Sequence, residues 1–171
     1  MSDVLLDAPL EISMSVDGRI VAAAVRPRYL LSDFLREQAG CGGVHVACGH
    51  GVCGACTVAV DGVPVRACLM LAVQADGASV QSVASLSELE GGAPGKEGLT
   101  RLQAAFRQHH ALQCGFCTPG LLVSTAMFLA EHKAPGCAAP GRSEILDHLN
   151  GHLCRCSGYA NIIAAIESVL A

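Results

Sequence analysis

Four cysteines crowd the stretch "CGHGVCGACTVAVDGVPVRAC", residues 48–68: Cys48, Cys53, Cys56 and Cys68. Their spacing, C-x4-C-x2-C-x11-C, is that of a plant-type [2Fe–2S] site. Two irons bridged by two sulfides take four thiolates, and the oxidised unit with its cysteines carries a net charge of about −2. Such a charge is met by hydrogen bonds, mostly from backbone N–H groups wrapped around the sulfurs. Gly49, Gly51 and Gly54 give the loop the freedom to curl its amides inward. Cys68 arrives at the end of a returning strand and ties the loop to a sheet. Other chemistries fit this set less well. Zinc favours two C-x2-C knuckles, and only Cys53 and Cys56 form one. A Rieske centre needs two histidine ligands. Cys48-Gly49-His50 offers a C-x-H, but no C-x2-H occurs in the chain, so His50 reads as a polar loop residue.

A second set lies in "LQCGFCTPG" and "GHLCRCSGY": Cys114, Cys117, Cys154 and Cys156, spaced C-x2-C-x36-C-x-C. Residues two apart on a helix point to nearly opposite sides, so the C-x-C pair must lie in a turn. Each pair directly precedes a helix start, Thr118-Pro119 after one and Ser157-Gly158 after the other. Two helix N-termini then aim their positive ends at one anionic group. A second [2Fe–2S] cluster in a helical scaffold is chemically coherent with that placement. Cys41 and Cys137 match no ligand position. Cys41 reads as a small buried apolar residue and Cys137 as incidental to a surface insert.

The elements that must carry these residues change texture along the chain. "LEISMSV" and "RIVAAAV" flank Asp17-Gly18, and "CTVAV" and "VPVRAC" flank Asp61-Gly62, which predicts two hairpins. Between them "YLLSDFLREQ" has helical spacing, with Leu30, Leu31, Phe34 and Leu35 on one face. With a last strand in "ASVQSV", this makes a small mixed sheet on one helix. The glycine-rich "LEGGAPGKEG", residues 89–98, is the expected linker. Helices are expected at 99–110, 119–132, 143–150 and 159–170. Thr118 should cap the second with Pro119 at its first position. Ser143 with Glu144 should open the third, and Asn150-Gly151 should close it. The insert "KAPGCAAPGR", residues 133–142, is an expected surface loop.

The composition excludes several functions. A net charge of −4 offers no surface for nucleic acid or anionic lipid. Charged residues are 15% and apolar ones 51%, against averages of about 25% and about 45–50%. A chain this small and this apolar exposes apolar surface when alone, which points to a partner subunit. The start "MSDVLLDAPLEISMSVDG" has neither a secretory signal nor twin arginines. The longest apolar run, "LLVSTAMFLA" at 121–130, is half the roughly 20 residues of a membrane span. A soluble cytoplasmic protein is expected, whose clustered thiols bind metal instead of pairing. No catalytic nucleophile, general base or nucleotide loop stands out. "CGHGVCG" lacks both a GK[ST] ending and the G-x-G-x-x-G spacing. On these residues alone, a stand-alone two-cluster carrier and a zinc or redox-sensor module remain open.

The two cysteine sets in this order, with "QCGFCTPG" and "LCRCSGY", resemble the small iron–sulfur subunit of the molybdenum hydroxylases. These are the xanthine oxidase, aldehyde oxidoreductase and carbon monoxide dehydrogenase type enzymes. The resemblance runs over nearly the whole chain, residues 12–170. It implies an α+β chain: a β-grasp, plant-type ferredoxin-like domain at 10–88, the linker at 89–98, and an all-α four-helix bundle with pseudo-two-fold symmetry at 99–171. It implies FAD on a medium subunit and molybdopterin, in mono- or dinucleotide form, on a large one. The assembly would be a heterotrimer or a dimer of heterotrimers. By motif, Cys48, Cys53, Cys56 and Cys68 would hold the cluster nearer flavin. Cys114, Cys117, Cys154 and Cys156 would hold the one nearer molybdenum. Gln113 and Cys156 would also touch the pterin, although on residues alone Gln113 is a capping or surface amide. The chain would have no substrate chemistry of its own. The whole enzyme would hydroxylate with water as oxygen source and send two electrons from molybdenum through the helical-domain cluster, then the ferredoxin-domain cluster, to FAD. Two departures stand out. Ala47 replaces the glycine usual before the first ligand, and the gap between Cys117 and Cys154 is several residues longer than usual. The extra residues fall in 133–142, where lengthening a loop costs little.

Overall fold

The structure is a computed structural model that describes residues 8–93, 95, 98–133 and 136–170. Parts of the expected linker (94, 96, 97) and of the expected insert (134, 135) lie outside the described residues, as do residues 1–7 and 171.

Both Asp-Gly pairs make two-residue turns. Asp17 and Gly18 have φ of 48° and 76°, Asp61 and Gly62 of 47° and 76°, the left-handed values a primed hairpin turn demands. Strand β1 (Leu10–Val16) therefore returns as β2 (Arg19–Val25), with Val16 opposite Arg19. Likewise β3 (Thr57–Val60) returns as β4 (Val63–Arg66), with Val60 opposite Val63. Strand β5 (Ser79–Gln81) fills the centre, parallel to β1 and antiparallel to β3, in the order β2-β1-β5-β3-β4. Alternation along β1 turns Ile12, Met14 and Val16 inward, as a period of two requires.

Helix α1 starts one residue later than its apolar face suggested. Leu31–Asp33 is α-helical and Phe34–Gln38 widens into π geometry. Leu30 stays extended in a bridge to Leu71, and the Leu31 N–H donates to Met70 O at 2.8 Å. Pairing of these backbone groups wins there over continuing the helix, because orphaned groups are costly. Leu31, Phe34 and Leu35 are fully buried in the first core, while Leu30 is only half-buried.

The second half is helical: a short α2 (Leu86–Leu89), then α3 (Arg101–Gln108), α4 (Thr118–Glu131), α5 (Arg142–Leu149) and α6 (Tyr159–Ser168). Two expected caps shift. Cys117 takes the N-cap position of α4, its carbonyl accepting from the Leu121 N–H at 3.1 Å, and Pro119 follows in the first turn. At α5 the cap is Gly141, whose N–H donates to Glu144 Oε2 at 2.7 Å, so Ser143 is already helical. Helix α2 was not foreseen; its Leu86 seats in the second core with Leu102, Phe106, Leu121, Ile145 and Ile166.

The two halves share a wall. All four residues of β3 are buried because each face has a cover. Val58 and Val60 face the first core, while Ala59 packs on Val123 and Met127 of α4. Fully burying a side chain such as Val123 stabilises by about 1.5–3 kcal/mol. Helix α4 is buried at nine of its 14 positions, as an interior helix must be. The chain is α+β, a ferredoxin-like mixed sheet followed by a helical domain. None of the described helices is long and apolar enough to cross a membrane.

Candidate functional site

The first cysteine set sits on the loop between α1 and β3 and just past the end of β4. Cys53, Cys56 and Cys68 are buried, and Cys48 is half-buried at the rim. The thiols approach in twos. Cys48 Sγ accepts from the Cys53 N–H at 3.5 Å and lies within hydrogen-bonding reach of the Cys53 thiol; Cys56 and Cys68 form the other pair. The N–H groups of Cys53, His50 and Val52 face Cys48 and pull its thiol down to about 6, so amides do wrap this sulfur. Burial pushes the Cys56 thiol up to about 11. His50 is exposed and turns its Nδ1 to Cys48 O at 2.7 Å, a loop contact as expected.

The second set repeats the pattern from helix ends. Cys117 caps α4, and Cys154 and Cys156 lie in the turn before α6, whose N-cap is Gly158. Cys114 pairs with Cys156, and Cys117 with Cys154. The Phe116 N–H and then the Cys156 thiol lower the Cys114 thiol, while burial raises that of Cys117 to about 11. Gln113 lies beside this set, its Nε2 donating to Cys156 O at 3.2 Å.

The donor sets suit a two-iron group. Among the described residues, no group of three or more His, Cys, Asp or Glu side chains is gathered closely enough to hold a metal ion. Within each set the thiols lie as two neighbouring pairs, the grouping that two irons with two protein sulfurs each would take. Cys41 and Cys137 stay outside both sets. Cys41 is buried and donates to Asp17 Oδ2 at 3.7 Å, and burial raises its thiol to about 11; Cys137 is exposed.

Between the quartets runs a seam that the sequence did not announce. The Leu153 N–H, next to Cys154, donates to Cys53 O at 2.9 Å. Arg66 at the end of β4 donates from Nη1 to Thr57 Oγ1 and from Nη2 to Gly151 O at 2.6 Å. Thr57 Oγ1 in turn donates to Gly54 O at 2.6 Å. Two glycines let backbones touch. A Cβ on Gly120 would meet Gly54 O at 2.4 Å and Ala55 O at 2.6 Å; one on Gly54, at φ +76°, would meet His152 Nδ1 at 2.5 Å. His45 stacks on Phe116 with ring centroids 4.6 Å apart and joins its Nδ1 to Phe116 O at 2.7 Å, linking the two cysteine loops. Tyr159 braces the second loop: its hydroxyl accepts from the Cys154 N–H at 2.8 Å and donates to His152 O at 3.0 Å. Behind the seam the rings of His132, Phe128, His148 and His152 follow one another at 4.5, 4.5 and 5.7 Å, with Phe128 and His148 stacked and the outer pairs tilted. Burial first, then the Arg66 charge, lowers His148 to about 4 and His152 to about 3. Of all these, only the glycine inside "CTPG" and the tyrosine of "CSGY" carried a signal. A glycine in a helix's first turn asks for a packing reason.

Comparison with known proteins finds two matching domain families, one after the other. Residues 14–84 match the 2Fe-2S iron-sulfur cluster binding domain family, and residues 88–167 match the [2Fe-2S] binding domain family. The chain is 48% identical over 158 residues to the caffeine dehydrogenase subunit gamma of Pseudomonas sp. (strain CBB1), covering 92% of this chain and 89% of that one. It is 45% identical over 157 residues to the nicotine 6-hydroxylase small subunit of Paenarthrobacter nicotinovorans, covering 92% and 87%. The crystal structure of quinoline 2-oxidoreductase from Pseudomonas putida 86 superposes with a TM-score of 0.79 at 45% identity, over 93% of this chain and 91% of that one. Two domains that bind [2Fe–2S] clusters, in this order and on this fold, make the chain a member of the family of small iron–sulfur, electron-transfer subunits of the molybdenum hydroxylases.

Proposed function

We propose that Cys48, Cys53, Cys56 and Cys68 hold one [2Fe–2S] cluster and Cys114, Cys117, Cys154 and Cys156 a second. The chain then relays electrons between a large subunit carrying molybdopterin and a medium subunit carrying FAD. Each cluster, when bound, takes up and passes on one electron at a time. The observation that carries this reading is the bond from the Leu153 N–H to Cys53 O, which joins neighbours of the two thiol sets directly. The chain's own work is to hold the thiolates in pairs, exclude water and keep the sets in fixed register. Cys53, Cys56 and Cys68 are buried, the amides around Cys48 offset thiolate charge, and the α4 and α6 N-termini do so for the second set. Leu86, which seats in the helical core, crosses a division at 10–88, 89–98 and 99–171.

Exposed apolar side chains support docking on both sides. Val46, Val52 and Leu69 are exposed within two residues of the first set's cysteines, and Leu112, Phe116 and Leu153 within two of the second's. Gln113 and Cys156, hydrogen-bonded at an exposed corner, are the residues proposed to face the pterin. A cytoplasmic location suits eight thiols that must stay reduced. Caffeine, nicotine and quinoline, in the names of the relatives above, all contain a nitrogen heteroaromatic ring. A substrate of that class is proposed for the assembled enzyme.

Metal and sulfide analysis with EPR tests the site. The reduced complex should hold about four irons and four sulfides per chain and give two distinct paramagnetic signals, since unlike surroundings tune clusters differently. Cys53→Ser should remove one signal and Cys117→Ser the other. Zinc in place of iron, or one signal in the wild type, would count against the assignment.

A further inference from the structure

We propose that Arg66 is a positioning residue for electron transfer between the two cluster sites. It acts as a counter-charge shared by both and as the clamp that holds their seam closed. The inference rests on the cysteine assignment above. Arg66 is half-buried and two residues before Cys68. Its guanidinium binds Thr57, the residue after Cys56, and Gly151 O, three residues before Cys154. Both acceptors are neutral oxygens, and among the described residues no carboxylate pairs with it. A cation held partly out of water with no counter-charge is disfavoured. The anionic groups implied on either side of the seam are the [2Fe–2S] clusters themselves, each with a charge of about −2 when oxidised and one unit more negative when reduced. A fixed positive charge in the seam, bonded to Thr57 next to Cys56 and to Gly151 near Cys154, would favour the reduced form of each.

The fork does a second job. Arg66 ties β4 to the turn after α5, and the same turn supplies the Leu153 N–H that binds Cys53 O. Lysine carries the same charge but cannot hold two oxygens in a rigid fork. Charge and clamp are therefore separable by substitution.

The test uses the assembled complex with Arg66→Met and Arg66→Lys, and first counts both paramagnetic signals. If wild type itself lacks one, the cysteine assignment fails, and that outcome is distinct from any result for Arg66. With both clusters present, Arg66→Met should shift both reduction equilibria toward the oxidised form by about tenfold, about 59 mV for one electron. Transfer between the clusters, followed by rapid-freeze EPR, should slow, because the seam that fixes their separation is no longer clamped. Arg66→Lys should restore the potentials and leave transfer slow. If the methionine variant does not assemble, Arg66→Gln keeps a donor without the charge and reads the same potentials. Unchanged potentials in the uncharged variants, or a fall that lysine does not reverse, would overturn the proposal.

Discussion

Replacing Gly120 by alanine tests how tightly the two halves are pressed together. The added Cβ would lie 2.4 Å from Gly54 O, 2.6 Å from Ala55 O and 2.8 Å from Ala55 C, whereas ordinary contact begins at 3.4 Å. The shortfall is about 1 Å, and all three obstacles are backbone, which cannot rotate away as a side chain tip can. Overpacking of this kind costs about 1–3 kcal/mol. Alanine gains at most about 1 kcal/mol over glycine in a helix, and less in the first turn, where α4 is not yet fully hydrogen-bonded. The clash wins, and the net loss should be about 1–2 kcal/mol. For a chain of this size that lowers the melting midpoint by about 2–8 °C. The assay is thermal loss of the visible cluster absorbance in the assembled protein, compared as midpoints because bound cofactors break two-state behaviour. Gly42→Ala is the control: nothing lies within 4 Å of its Cβ position and its φ is not left-handed, so its midpoint should hardly move. A Gly120→Ala protein as stable as wild type would show that the seam yields by an ångström at no cost, and the rigid-wall argument would fall.

The remaining predictions each isolate one contact. Tyr159→Phe leaves the Cys154 N–H and His152 O without their partner; at about 1–3 kcal/mol it should speed iron loss from the second cluster and shift its EPR signal alone. Asp17 accepts from Ser82 N, Ser82 Oγ and Ser85 Oγ, each at 2.7 Å. Asp17→Asn, which tolerates the same positive φ, should cost about 1.5–3 kcal/mol in melting experiments. His148, facing Arg66, His132 and His152, has a folded pKa of about 4 against an ordinary 6.5. Below pH 6.5 the unfolded chain therefore binds the extra proton, so this group's contribution is intact above 6.5 and is lost as pH falls toward 4, at up to about 1.4 kcal/mol per pH unit. His148→Phe keeps the stack on Phe128 and should flatten that part of the stability profile; an unchanged slope would mean His148 is charged in the folded protein.

What the sequence made legible was local. Thiol spacing along a loop, Asp-Gly at a two-residue turn and proline in a helix's first turn are decided within a few residues, and these were readable. Leu30 misled because its helical spacing was genuine, yet Leu71, forty-one positions away, offered its backbone a better partner. The cap falls at Cys117, one residue before Thr118: threonine is the better capping type, but Cys117 O already accepts the first helical bond. The seam was illegible for a deeper reason. The Leu153 N–H, Cys53 O, Gly54 O and Gly151 O are main-chain atoms, and every residue has them. Nothing in the letters says which will meet. The letters mark Arg66 only as a cation on a hairpin, and it is the fold that brings Gly151 O to it.

That backbone character bears on why one chain carries both cysteine sets. Two separately folded carriers would bury side chains against each other and lose translational and rotational freedom on docking, a cost of at least about 4 kcal/mol. Here β3 presents one face to the first core and the other to α4, so the wall between the domains is a strand packed on both sides. At closest approach Gly120 lies against the backbone of Gly54 and Ala55, and Gly54 against Gly151 O and the His152 ring. A side chain at Gly54 or Gly120 would widen the gap, at Gly120 by about the 1 Å of its shortfall from ordinary contact. The distance between the two sets is thereby set by covalent geometry and packing together, and it does not depend on how firmly the partner subunits are bound.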